Sequence, residues 1–267
     1  MELEVTLPPS AEQIHPIFIT SPCNYSGGAL LQRSVCASTD GFCYGDNLFD
    51  EVLSQMDWAF ELIDRHQAAK DHEQNTLENA LSGSPATWMP DLAPSHEIYM
   101  ASLMSGIYNL PHTAQHFAKQ QDKNVWMMAR AGVSAPRMND LLALFPSSKA
   151  IFIHRNPLDV VRDALRDRPG TAINELCTNW NTMMREYLTF QSDRMLKLTY
   201  EYAQLDADAF TNTLQEFTGT TGLQGTVSDA GVEAELSSQY ELSPDIEQQI
   251  KLQCGDMLAV YYPELAP

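Results

Sequence analysis

This sequence predicts an α/β fold in three layers, a central parallel sheet flanked by helices, organised as a single domain over residues 1–267. Three observations point there. Four short runs rich in apolar, β-favouring residues stand apart: Ile17–Thr20, Val125–Met128, Ala150–Ile153 and Met195–Thr199. The first three are nearly continuous rather than alternating, as strands covered on both faces require. Helical patterns fill the intervals, and strands alternating with helices join in parallel through right-handed crossovers.

Each element has its own signal. Ile17–Thr20 runs into a Gly-containing turn. Phe49, Val52, Leu53, Met56, Phe60 and Ile63 recur at three- and four-residue spacing and predict an amphipathic helix. The stretch 82–111 holds several Pro and Ser residues with poor periodicity, and reads as an insertion or lid. Leu176, Trp180, Met183, Met184, Tyr187 and Leu188 define another helix. Phe210, Leu214 and Phe217 define a third, ended by Gly219. A last helix follows Ser243, its N-cap, and Pro244, its first residue, along Ile246, Ile250, Met257 and Leu258. The pairs Met127-Met128 and Met183-Met184 read as core filler, and Trp58, Trp88 and Trp126 as packing residues rather than a carbohydrate platform.

Composition narrows the function. A chain of 267 residues with 44% hydrophobic residues can bury a sizeable core. Its net charge of −19 is uneven: Lys149–Lys197 holds eight basic and six acidic residues, the remainder eight basic and twenty-nine acidic. Most of that surface repels a polyanion, which excludes nucleic acid as a partner. Met1–His15 contains no apolar leader, and no apolar run approaches the ~18 residues a bilayer span needs, so a cytoplasmic protein without membrane contact is expected. Five cysteines without a C-x-x-C pair read as free thiols, with no metal site. His112 and His116 are spaced i, i+4 but lack a third ligand, and read as surface residues.

In parallel sheets ligands bind beyond the carboxyl ends of the strands, which directs attention to the loops starting near Ser21, Ala129, His154 and Tyr200. The first runs Ser21-Pro22-Cys23-Asn24-Tyr25-Ser26-Gly27-Gly28-Ala29 between a strand and a helix. Backbone N–H groups gathered at a helix N-terminus stabilise a phosphate or sulfate without a side-chain cation, and Gly27 and Gly28 permit close approach. No Gly-Lys-Ser/Thr follows, so this is not a Walker motif. The third loop places Arg155 directly after an apolar strand, before Asn156-Pro157 and a helix start. An Arg there is costly to desolvate unless an anion pairs with it. Its planar fork suits a phosphate; Asp159 or Asp163 would serve as a protein partner instead. His154 beside it reads as a pocket lining or a satisfied structural residue.

Taken in order, these segments resemble the sulfotransferase superfamily, especially its bacterial and tyrosylprotein-type branches, whose fold is P-loop-like. Residues 16–31 resemble the strand and loop that hold the phosphosulfate end of 3′-phosphoadenosine 5′-phosphosulfate (PAPS). Tyr44-Gly45-Asp46 resembles the Gly-Glu step that follows. Leu144-Phe145-Pro146 through Asn156-Pro157 resembles the strand that binds the 3′-phosphate, Trp180 a frequent Trp in the next helix, and Tyr200-Glu201 the segment whose Tyr lies near the nucleotide. The resemblance implies a nucleotide site at Tyr25, Ser26, Gly27, Gly28, Ala29, Arg155, Asp163 and Tyr200. It further implies Asp46 as base for the acceptor proton, or else as the N-cap of the Phe49 helix, and Arg130 in place of the family's catalytic Lys. The implied donor is PAPS without a metal, and the implied acceptor a small-molecule or carbohydrate hydroxyl, with a homodimer left open.

The chain also departs from the pattern. Tyr25 stands where the family loop has Arg, Ala29 where it has Thr, and Asp163 where a Ser normally follows the 3′-phosphate Arg by eight residues. A carboxylate beside a phosphate repels it. These changes keep a second expectation in view: a catalytically silent relative that uses the fold for binding or assembly.

Overall fold

The computed structural model describes residues 10–84, 88–223 and 240–266; residues 1–9 of the N-terminal segment and 85–87 of the 82–111 stretch lie outside it. Five strands, β1 (Ile17–Ser21), β2 (Gly41–Tyr44), β3 (Val125–Ala131), β4 (Lys149–His154) and β5 (Met195–Thr199), form one parallel sheet in the order β2-β3-β1-β4-β5. Central β1 aligns Ile19 with Ala129 of β3 on one side and with Ile151 of β4 on the other.

Why the central runs are continuous rather than alternating is now visible. Phe18, Met128 and Phe152 point to one face, and their neighbours Ile19, Met127 and Ile151 to the other. Both faces are covered. The first face packs against α2 (Asp46–Leu81), α3 (His96–Gln120), α4 (Ala135–Leu144), α6 (Ile173–Thr189) and α9 (Pro244–Tyr261). The second packs against α1 (Gly28–Ala37) and α8 (Ala207–Thr218), through Leu31, Val35, Phe210 and Leu214. Two short helices complete the frame near the site, α5 (Pro157–Asp167) and α7 (Tyr200–Leu205). Phe152 stacks on Tyr187 with ring centroids 3.9 Å apart, joining β4 to α6. Such pairs add about 0.5–1.5 kcal/mol to area burial.

Four features depart from the sequence reading. The edge strand β2 and helix α4 were not anticipated: β2 is four residues long with every second residue half-buried, and α4 is shorter than three full turns. Helix α2 continues well past Ile63 to Leu81, over a largely polar sequence. That second half is supported by α3, against which His66 is buried, its Nδ1 close to Glu73 Oε2 and its ring in tilted contact with Tyr99, centroids 4.1 Å apart. In the stretch 82–111, where poor periodicity gave no helix, residues 96–111 belong to α3, which continues through the buried Pro111. Trp126 is packed, 2% exposed, but Trp58 and Trp88 are 61% and 80% exposed and are not packing residues.

Candidate functional site

The strand order reverses about β1, and a cleft of about 590 Å³ opens at the carboxyl ends of β1, β3 and β4. Its floor is the turn between β1 and α1. Gly27 is the N-cap of α1 in the left-handed region, φ 106°, and a Cβ there would meet Ile153 Cδ1 at 2.8 Å and a Tyr200 ring carbon at 3.1 Å. Only glycine fits. Gly28 needs no such freedom, because a Cβ on it would find Ser21 Oγ at an ordinary 3.6 Å. Tyr25 holds φ 68°, an uncommon conformation for a side-chain-bearing residue that turns the chain back toward α1. The first N–H groups of α1 have no partner within the helix and point out of its N-terminus toward the cleft, with the positive end of the helix dipole behind them.

Side chains brace this turn from below. Ser21 Oγ donates to the Cys23 carbonyl at 3.1 Å, and Cys23 Sγ lies 3.4 Å from Ser26 Oγ. Ser26 is wholly buried, so its hydroxyl is spent on the loop and does not line the cleft. Burial pushes the Cys23 thiol up to about 12, which leaves it neutral and a poor nucleophile.

Across the cleft stands Arg155, 3% exposed. Its guanidinium lies over the Tyr200 ring, 4.4 Å from the centroid, and Trp180 Nε1 donates to its carbonyl at 2.9 Å. Of the two partners open to it, it takes Asp163: Nη1 to Oδ2 is 2.5 Å, with Asp159 farther off at 3.8 Å from Nε. The other oxygen of Asp163 faces Arg166 Nη1 at 2.8 Å. The turn is fixed by Asn156, whose Oδ1 accepts from Asp159 N at 2.9 Å to cap α5 and whose N and Nδ2 donate to Glu201. Tyr262 joins Glu201 to His154, whose Nδ1 is 2.8 Å from the phenol oxygen. Burial, then Lys197, lowers His154 to about 4, so it is a neutral structural residue rather than a cleft lining. Burial raises Glu201 above the usual carboxylate range.

The third wall comes from β3 and α2. Arg130 Nε donates to Asp50, and its Nη1 to the Ala131 carbonyl at 3.0 Å. Asp46 is the exposed first residue of α2 and not its N-cap, a position held by Gly45 without any side-chain bond. A second cavity of about 510 Å³ opens behind this wall toward α6, lined also by Asn179, Thr182 and Glu186. The two cavities share Cys23, Asn24, Asp46, Arg130 and Ala131.

The cleft thus brings together Tyr25, Gly27, Gly28, Ala29, Asp46, Arg130, Arg155, Asp163 and Tyr200, while Ser26 lies beneath it. Sequence reasoning missed Asp50, which restrains Arg130, and Arg166, which shares Asp163 with Arg155. Both follow a recognised site residue at helical spacing, Asp50 four residues after Asp46 and Arg166 three after Asp163, which was the signal available.

A site of this form sits in a recognisable lineage. A comparison with curated protein sequences gave no significant match. Two solved structures similar in fold are sulfotransferase domains. The one from the Synechococcus PCC 7002 olefin synthase has 16% identity and a TM-score of 0.50, covering 95% of this chain and 97% of that one. The one from the curacin biosynthetic pathway has 14% identity and a TM-score of 0.54, covering 91% and 98%. The sequence model described as the sulfotransferase family matches residues 16–224, a span that begins just before β1 and takes in the whole sheet, the loop ahead of α1 and the Arg155 turn. By that match, over most of its length, the chain belongs to the sulfotransferase family.

Proposed function

We propose that this protein transfers a sulfuryl group from a nucleotide 5′-phosphosulfate of the PAPS type to a hydroxyl of a small molecule or carbohydrate. The observation that carries this reading is the shared wall between the two cavities. A donor in the first cleft, with its phosphosulfate over the N-terminus of α1, and an acceptor in the second would meet beside Asp46 and Arg130. The acceptor oxygen bonds to sulfur as the bond from sulfur to the bridging phosphate oxygen breaks. The nucleotide phosphate leaves, and the acceptor proton passes to Asp46. Arg130 stabilises the charge gathering on the bridging oxygen, with Asp50 holding the guanidinium in place.

The test is transfer of labelled sulfate to a panel of hydroxyl acceptors, with titration of nucleotide in parallel. Asp46→Asn is expected to lower kcat by about 10²–10⁴-fold while nucleotide binding stays unchanged. One observation favours a silent binding module instead, the closed Arg155–Asp163 pair at the far pole of the cleft. Nucleotide binding without transfer to any acceptor supports that second reading.

A further inference from the structure

The cleft has two cationic poles, and one of them already holds a side-chain carboxylate, although Arg168 also lines it. The N-terminus of α1 presents backbone donors and carries no acidic residue in its first turn. At the opposite pole the anion is already in place. Asp163 Oδ2 accepts from Arg155 Nη1 at 2.5 Å, and Oδ1 lies 2.8 Å from Arg166 Nη1 at ion-pair distance without hydrogen-bond geometry, so one carboxylate stands between two guanidinium groups while Arg155 Nε stays buried without a hydrogen bond. The clasp is built in rather than incidental. Asp163 and Arg155 are 6% and 3% exposed, Tyr200 holds the guanidinium from its face, and the capped start of α5 fixes Asp163 two turns along the same helix. Three of the four arginines between residues 155 and 168, Arg155, Arg162 and Arg166, each bond a carboxylate. A dianionic group brought to this pole would meet the Asp163 carboxylate at contact distance, or would have to displace it into an enclosed space.

Resting on the sulfuryl-transfer reading of this cleft, we propose that Asp163 is a built-in substitute for a second phosphate on the nucleotide. The site then selects a nucleoside 5′-phosphosulfate whose ribose bears no 3′-phosphate. The 5′ end is still received by the N-terminus of α1, and the transfer step is unchanged, with a nucleoside 5′-monophosphate as the leaving product.

Calorimetric titration of the intact protein with adenosine 5′-monophosphate and with adenosine 3′,5′-bisphosphate separates the outcomes. The unmodified protein is expected to bind the monophosphate at least as tightly as the bisphosphate. Asp163→Ser is expected to tighten the bisphosphate by about 10- to 100-fold, the effect of one charge-assisted bond regained, with the monophosphate shifted less than about threefold. Asp163→Asn, matched in shape, serves if the Ser variant melts early, and the comparison of two nucleotides on the unmodified protein needs no variant. A preference of about tenfold or more for the bisphosphate in the unmodified protein overturns the inference and leaves the sulfuryl-transfer site standing. An unchanged bisphosphate affinity in both variants overturns it too. Binding of neither nucleotide by any of the three proteins removes the site reading itself.

Discussion

Replacing Arg155 by Ala tests whether the Arg155–Asp163 pair is part of the fold as well as the cleft. The side chain is 3% exposed and bonds a carboxylate that is itself enclosed, so its removal leaves Asp163 charged and buried with one remaining partner. Breaking a buried pair from one side costs about 3–5 kcal/mol. Lost stacking on Tyr200 adds about 0.5–2 kcal/mol, and retention of Arg166, which is 36% exposed, returns part of the total. A net loss of about 3–5 kcal/mol in a chain of this size lowers Tm by roughly 10 °C. Thermal melting and urea titration read this directly. Adding Asp163→Leu to Arg155→Met should recover most of the loss, because a removed pair leaves no stranded charge. The reasoning is refuted by a Tm within about 2 °C of the parent for Arg155→Ala, or by single losses that merely add in the double variant.

Gly27→Ala is expected to destabilise by about 1–3 kcal/mol and to abolish nucleotide binding, through its φ of 106° and the clash with Ile153; Gly28→Ala, by urea titration, should cost under about 1 kcal/mol. Stability should fall as pH drops from about 6.5 toward 4. In that window the unfolded chain protonates His154 while the folded one, with its value lowered to about 4, does not; the full stability is present above it. This single group accounts for about 3 kcal/mol, so His154→Gln should lose correspondingly less between pH 7.5 and 4.5 in urea titrations, about 2–3 kcal/mol less; Glu201, whose raised value acts in the opposite sense, shares the Tyr262 hydroxyl with His154 and is kept in both proteins. An equal loss in both proteins would refute the assignment.

The parallel sheet was legible because its central strands are apolar on both faces, a demand that falls on every residue of Phe18–Ile19, Met127–Met128 and Ala150–Ile153 and so shows in one dimension. The turn ahead of α1 and the position of Arg155 were legible for a similar reason. A glycine at a strand-to-helix turn and a cation after a buried strand are local patterns. What lay beyond the sequence were the choices made between distant segments. Helix α3 and the polar half of α2 stabilise each other through His66, Glu73 and Tyr99, and neither half carries a periodicity strong enough to announce the pairing alone. Asp46 could have been a cap or a cleft residue, and the fit of Gly45 at the start of α2 decided it. Most consequential is Asp163. Eight residues from Arg155, it could equally have opposed a bound phosphate or replaced one. Only the tertiary setting, with Tyr200 against the guanidinium face, Trp180 holding the Arg155 carbonyl and Arg166 on the far side of Asp163, turns the two charges toward each other. Spacing along a chain fixes which groups are able to meet; the direction a buried side chain takes is set by the neighbours that fill the space around it.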